Sequence, residues 1–125
     1  METDETLRRF VLEVYAAVNG HDEVGLEERL ALVPEASMLG TDAEEVGLGG
    51  DAILGMFRRQ FKEFADVSFE PGDVIASSHG DAGWFLDSPT LVFGEERFPC
   101  RLTGTVLRLD GQWKMVQSHM SIPRA

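Results

Sequence analysis

The hydropathy pattern of this chain changes between residues 64 and 67, and this change most constrains its fold. Before it, apolar residues recur at the three- and four-residue spacing of helical faces. The predicted helices span about 5–19, Val24 to about Leu32, and about Asp51–Phe64. After it come four stretches rich in β-branched and aromatic residues: Val67–Ser78, Ala82–Phe93, Phe98–Leu109 and Trp113–Ile122. This order predicts one α+β domain, with helices in about 5–64 covering a long antiparallel β-meander in about 67–122.

Three residues indicate that the sheet is strongly curved. Pro89 and Pro99 cannot donate to a β-ladder, so we expect them at bulges or on an edge, and Gly104 in mid-strand suggests a bend. Before the third helix, Ala36–Gly40 predicts a brief strand and Thr41–Gly50 an exposed, acidic loop.

The charge of the chain limits its partners. The 125 residues carry a net charge of −11, and residues 1–51 hold 13 acids and 3 bases. Such a field repels phosphate backbones and anionic lipid, so neither nucleic acid nor a membrane surface is an expected partner. The longest apolar runs reach about six residues, far short of the about 20 that a spanning helix needs.

Cysteine usage and the amino terminus predict a cytoplasmic location. Cys100 is the single cysteine and cannot form an intramolecular disulfide. Residues 1–5 have neither the basic flank nor the apolar stretch of a signal peptide.

Four segments carry a resemblance to a known family. They are Tyr15–Asp22, Gly49–Ile53, Asp81–Phe85 and Val106–Ser121, the last with an Asp-Gly turn, Trp-Lys and His-x-Ser. With them the chain resembles the SnoaL-like proteins of the nuclear transport factor 2-like superfamily, which includes ketosteroid isomerases. The resemblance implies a cone-shaped curved sheet closed by N-terminal helices, an apolar cavity, and a homodimer formed through the sheet. The last segment is also similar to the association domain of calcium/calmodulin-dependent protein kinase II.

The resemblance does not extend to the isomerase residues. Tyr15 lies near the family's tyrosine, but the family's base falls at Gly40 and its second acid at Thr105. Isomerisation by that mechanism is therefore not expected. Asp42 could replace the missing base only if its loop folds inward.

Two other residues are candidates for moving a proton. Asp87 follows an apolar strand, where burial would raise its pKa, although it could instead open the turn before Ser88 and Pro89. His119 lies within the last strand, and imidazole is the side chain most often used as a general acid or base. Strict alternation places His119 on one face with Trp113 and Met115, which leaves both a pocket role and an interface role open.

A second set of residues is expected to contact a ligand. Alternation places three of them on the face that lines the cavity in the isomerases: Val116, Ser118 and Met120. Arg101, Thr103 and Thr105 share a face of the third strand. If that face is concave, Arg101 could hold a carboxylate or enolate; otherwise it pairs with Glu95 or Glu96 across the hairpin. Trp84 completes the expected ligand contacts.

These residues support two hypotheses. The first is a small-molecule binding protein, or an enzyme without a cofactor, that takes an apolar carbonyl compound. Tyr15 would donate a hydrogen bond, Arg101 would stabilise negative charge, and Asp87 or His119 would move the proton. The second is a non-enzymatic assembly or regulatory module. No metal site is expected, since the histidines and Cys100 lack ligand spacing. The acidic first half favours a ligand that is neutral or cationic where it enters.

Overall fold

Residues 1–123, which the computed structural model describes, form three helices and ten strands. The helices are α1 (Glu5–Asn19), α2 (Glu23–Arg29) and α3 (Gly50–Glu63). The strands are β1 (Glu2–Thr3), β2 (Ser37–Leu39), β3 (Val46–Leu48), β4 (Val67–Glu70), β5 (Ile75–His79), β6 (Ala82–Asp87), β7 (Thr90–Phe93), β8 (Glu96–Pro99), β9 (Arg101–Leu109) and β10 (Gln112–Ser121). The predicted α+β class is confirmed.

The helices begin and end close to where the sequence predicts. The carboxylate of Asp4 caps α1 by accepting from the amide of Leu7 at 2.9 Å. Helix α2 ends at Arg29, earlier than predicted, because Leu30 turns extended and bridges to Met115. The amide of Ala31 then donates to the carbonyl of Met115 at 2.9 Å, so the segment after α2 is held against β10.

The strands form two sheets. The large sheet has the order β1-β5-β6-β9-β10-β2-β3, and the small sheet has the order β4-β7-β8. The pair β10 and β2 is parallel, which makes the large sheet mixed. Its inner face carries the buried core beneath α1, including Phe85 and Val106, and its outer face points away from the helices.

The prediction of four continuous strands is wrong for the first three. Each starts in one sheet and ends in the other, with breaks at 71–74, at Ser88 and Pro89, and at Cys100. Proline at a break removes a ladder donor. The amide of Cys100 donates to the carbonyl of Pro89 at 2.9 Å, which joins two of the breaks. Pro99 lies on the edge strand β8, as predicted.

The predicted loop 41–50 contains a strand that the sequence analysis missed. Strand β3 pairs antiparallel with β2, from Ser37 opposite Leu48 to Leu39 opposite Val46. Its inward position is Gly47, which packs against Ile53 of α3, whereas its apolar side chains point outward. A strand with glycine inside and apolar residues outside lacks the pattern of a half-buried strand.

A β-bulge changes which residues of β10 share a face. The register shifts between Met115 and Gln117, so Val116 is an extra residue. Trp113 and Met115 are therefore buried while His119 is exposed. The predicted alternation, which grouped these three, is wrong because the bulge reverses the order of the faces.

Gly50 allows α3 to start directly against the segment after α2. A Cβ added at Gly50 would lie 2.5 Å from the carbonyl oxygen of Ala31 and 2.5 Å from the Cα of Leu32. Both of these atoms belong to the backbone and cannot rotate away. In the same helix, a Cβ at Gly55 would meet no atom within 4 Å.

We expect opposite effects from the same substitution at these two glycines. Gly50→Ala should lower the free energy of unfolding by about 1–3 kcal/mol, since the backbone must shift. Gly55→Ala should raise it by about 0.5–1 kcal/mol, because alanine loses less entropy in a helix. Urea unfolding followed by circular dichroism measures both, and equal stability of the two variants would contradict the packing described for Gly50.

Candidate functional site

A cavity of about 480 Å³ lies between the helices and the inner side of the two sheets. Most of its wall is aliphatic or aromatic. Representative lining residues come from α1, α3 and both sheets: Val14, Val18, Phe57, Phe69, Leu91 and Met120. A cavity of this size and lining is typical of sites for small, largely apolar molecules.

Polar groups interrupt the apolar wall in a few places. Ser37, Gln60 and Ser118 are half-buried and line the cavity. Charged residues also line it: Asp42, Glu44, Glu45, Arg59 and Glu63. Glu45 is half-buried and the other four are exposed, so the charges lie at the open side of the cavity.

Tyr15 is the one predicted catalytic residue in the cavity wall, and its hydroxyl donates to Oδ2 of Asp87 at 2.7 Å. Asp87 is 2% exposed and does not line the cavity. Its Oδ2 also accepts from the amide of Gly72 at 3.1 Å, and its Oδ1 accepts from the amide of Ser88 at 2.8 Å. Three donors therefore satisfy the buried carboxylate, which offsets the loss of its hydration.

This environment keeps Tyr15 protonated. Burial, the hydrogen bond to Asp87 and the charge of Asp87 all raise the pKa of the Tyr15 hydroxyl well above its ordinary value of 10. A phenol has one proton to donate, and this proton is directed to Asp87. Any further hydrogen bond at this oxygen must be one that it accepts.

The remaining predicted residues divide between two places. Val116, Ser118 and Met120 line the cavity with Tyr15. Trp84, Arg101, Thr103, Thr105 and His119 are exposed and are not part of its wall. The register places Thr103 opposite His119 and Trp84 opposite Thr105, so these residues are neighbours on the outer face of the large sheet. Within residues 1–123, Arg101 makes no ion pair with Glu95 or Glu96.

Sequence reasoning missed most of the charged lining. The sequence predicts a role for Asp42 only if its loop folds inward, and the β2–β3 hairpin does bring Asp42, Glu44 and Glu45 to the cavity. Arg59 and Glu63 lie one helical turn apart on α3. Apolar periodicity predicts only the buried face of α3, so it gives no signal for these two charged residues.

A comparison with protein families identifies the chain. The model of the SnoaL-like domain matches residues 7–125. The chain belongs to the SnoaL-like family. No protein of curated function shows significant similarity to it in sequence.

Solved structures share the fold of this SnoaL-like protein at low sequence identity. A nuclear transport factor 2-like protein of unknown function from Pseudomonas putida KT2440 is 17% identical with a TM-score of 0.86, over 99% of this chain and 92% of that one. A proposed dehydratase from Streptomyces avermitilis is 17% identical with a TM-score of 0.85, over 97% and 96%. A proposed calcium/calmodulin-dependent protein kinase type II association domain from Thiobacillus denitrificans is 19% identical with a TM-score of 0.81, over 92% and 93%.

In the described part of the chain, no helix combines the length and the apolar character needed to cross a membrane. The same residues contain no group of three histidine, cysteine, aspartate or glutamate side chains placed to hold a metal ion.

The raised pKa of Tyr15 predicts an unusual alkaline titration. Tyr15 is the only tyrosine in the chain, so tyrosinate absorbance in the near ultraviolet reports on it alone. We expect no tyrosinate in the folded protein as the pH rises through 10, the ordinary pKa, and a normal titration near 10 in urea. Since the folded pKa is the higher one, the stability that Tyr15 contributes is complete below pH 10 and decreases above it.

Tyr15→Phe provides the control for this titration, because it removes both the absorbance change and this part of the alkaline destabilisation. A native protein that forms tyrosinate near the ordinary pKa would show that the hydroxyl is not held by Asp87.

Proposed function

We propose that this SnoaL-like protein binds a small, largely apolar molecule that carries a carbonyl group. The observation that carries the proposal is the cavity of about 480 Å³ with its mainly aliphatic and aromatic wall. Enclosing such a molecule removes apolar surface from water on both partners, which favours binding. No cofactor is part of the proposal.

The polar groups of the wall support a carbonyl ligand. Ser37, Gln60 and Ser118 each offer a hydrogen-bond donor from a half-buried position. Tyr15 is not such a donor, since its proton is directed to Asp87. The hydrogen bond to the ligand is therefore assigned to Ser37, Gln60 or Ser118.

Binding alone fits this geometry better than turnover. Asp87 is held by three donors and reaches the cavity only through Tyr15. His119 and Arg101 lie outside the cavity wall. A reaction without a cofactor would need a proton acceptor beside the ligand. Among the carboxylates that line the cavity, Asp42 is the nearest in sequence to Gly40, the position of the family's base.

Benzophenone and diphenylmethane test the proposal, because they differ only by a carbonyl oxygen in place of two hydrogens. Both should raise the melting temperature at saturating concentration, and benzophenone should raise it more. Val14→Trp should abolish both shifts, since it places an indole in the cavity. Val24→Trp is the matched control, because Val24 is a helical valine that is 65% exposed and outside the cavity wall.

Three results would argue against this function. The first is no shift of the melting temperature with either compound, which would contradict binding of an apolar molecule. The second is an equal shift with both compounds, which would show that the carbonyl group does not contribute to binding. The third is binding to Val14→Trp as tight as to the unmodified protein, which places the ligand elsewhere.

We also propose that the protein forms a homodimer through the outer face of the large sheet. Ile75, Trp84 and Leu86 on this face are 57%, 41% and 49% exposed. On the neighbouring strands, Thr103 lies opposite Leu86, Thr105 lies opposite Trp84, and His119 lies opposite Thr103. None of these residues carries a carboxylate. Two copies can therefore approach there without the repulsion expected between the acidic helical halves. The same face is the basis of the alternative function, an assembly module, which the association-domain relative favours.

Mass measurement by light scattering tests the dimer. The unmodified protein should have the mass of two chains, and Leu86→Lys should shift it toward the 13.8 kDa monomer, because it places a charge in the contact. Val24→Lys introduces the same charge on α2 and should leave the dimer intact. A monomeric unmodified protein, or a Leu86→Lys variant that remains dimeric, would contradict this interface.

We propose a cytoplasmic location. Cys100 is a buried free thiol, and burial raises its pKa, which keeps it in the unreactive protonated form. A single reduced cysteine is typical of proteins from a reducing compartment.

A further inference from the structure

The open side of the cavity has an excess of negative charge. Four carboxylates line the cavity, Asp42, Glu44, Glu45 and Glu63, and Arg59 is the one cation among the lining residues described. Three of the acids come from the β2–β3 hairpin and the fourth from the last turn of α3. Two separate elements thus place like charges around one cavity, although like charges repel.

These charges are not neutralised by neighbouring side chains. Within residues 1–123, Asp42, Glu44, Glu63 and Arg59 take part in no ion pair. Glu45 is different, because its Oε1 accepts from the amide of Asp42 at 3.0 Å and so holds the hairpin. Asp42, Glu44 and Glu63 therefore remain available to a ligand.

Two aromatic rings border the same cavity and are strongly exposed. Phe64 is 48% exposed and Phe93 is 43% exposed, and their ring centroids are 6.3 Å apart. Exposed rings of this size leave apolar surface in water. Aromatic faces also attract cations, and this attraction grows when the cation is desolvated.

We infer that the ligand of this cavity is cationic: an apolar body that fills the interior, with a protonated amine held at the opening by Asp42, Glu44 and Glu63. This inference rests on the proposed binding function and adds the charge of the ligand. The apolar wall takes the body, the carboxylates take the ammonium group, and the rings of Phe64 and Phe93 line the same cavity. A ligand of the same shape with a carboxylate in place of the amine would be repelled by at least three acids and attracted only by Arg59.

Three compounds of matched shape test the charge: phenylbutylamine, phenylbutanol and phenylbutanoate. Their affinities are measured by calorimetry at neutral pH and low salt, where the amine is protonated. The amine should bind about tenfold more tightly than the alcohol, since each exposed pair contributes a modest gain. The carboxylate should bind most weakly, and added salt should reduce the differences.

Charge-neutral variants locate the effect. The triple variant Asp42→Asn, Glu44→Gln, Glu63→Gln should bind the amine and the alcohol about equally. The triple variant Glu2→Gln, Glu35→Gln, Glu95→Gln changes the net charge by the same amount outside the cavity wall and should keep the preference for the amine. The affinity for phenylbutanol should be the same in both, which also shows that both fold.

The results separate this inference from the binding function. If benzophenone binds but phenylbutylamine is no tighter than phenylbutanol, the cationic ligand is overturned and the apolar cavity function stands. If the preference survives in the first triple variant, the three acids do not hold the amine and the inference is likewise overturned. If neither benzophenone nor any phenylbutyl compound binds, both proposals fail.

Discussion

The buried carboxylate of Asp87 is the interaction on which the rest of the structure depends. It binds the hydroxyl of Tyr15 on α1 and the amides of Gly72 and Ser88, which belong to two breaks between the sheets. A carboxylate removed from water is stable only with such partners, so one helix and two chain bends are fixed at a single point. This contact ties α1 to the breaks between the sheets at Tyr15, which itself lines the cavity.

The breaks in the strands give the cavity its second wall. Because the chain passes from β6 to β7 and from β8 to β9 through short bends, the small sheet stands beside the large one instead of extending it. Phe69 and Leu91 of the small sheet then line the cavity with Met120 of the large sheet. A flat meander of the same sequence would expose these side chains. The breaks therefore let the two sheets and the helices surround an apolar interior.

The uneven charge of the chain has a structural counterpart. The acidic first half supplies α1, α2 and the β2–β3 hairpin, and the hairpin places its carboxylates at the open side of the cavity. The nearly neutral second half supplies most of the large sheet, whose outer face shows apolar, threonine and histidine side chains. Charge is thus concentrated where a small ligand would enter and is low where a second copy would pack. The same arrangement explains why the proposed ligand and the proposed dimer use opposite faces.

The sequence by itself determined the helices, the α+β class and the family, because apolar periodicity and the segment Val106–Ser121 are local signals. It also identified Tyr15, Ser118 and Met120, which the structure places in one cavity wall. Only the tertiary structure decided the sides of the remaining candidates. A bulge at Val116 reversed the faces of β10, and a hydrogen bond between residues 72 positions apart in the chain places Asp87 behind the hydroxyl of Tyr15. Strand β3 was missed for a local reason, because its inward residue is glycine and its apolar side chains point outward. The hairpin acids could not be placed at the cavity because β2 pairs with β10, a strand far away in the chain, and no local pattern records that pairing.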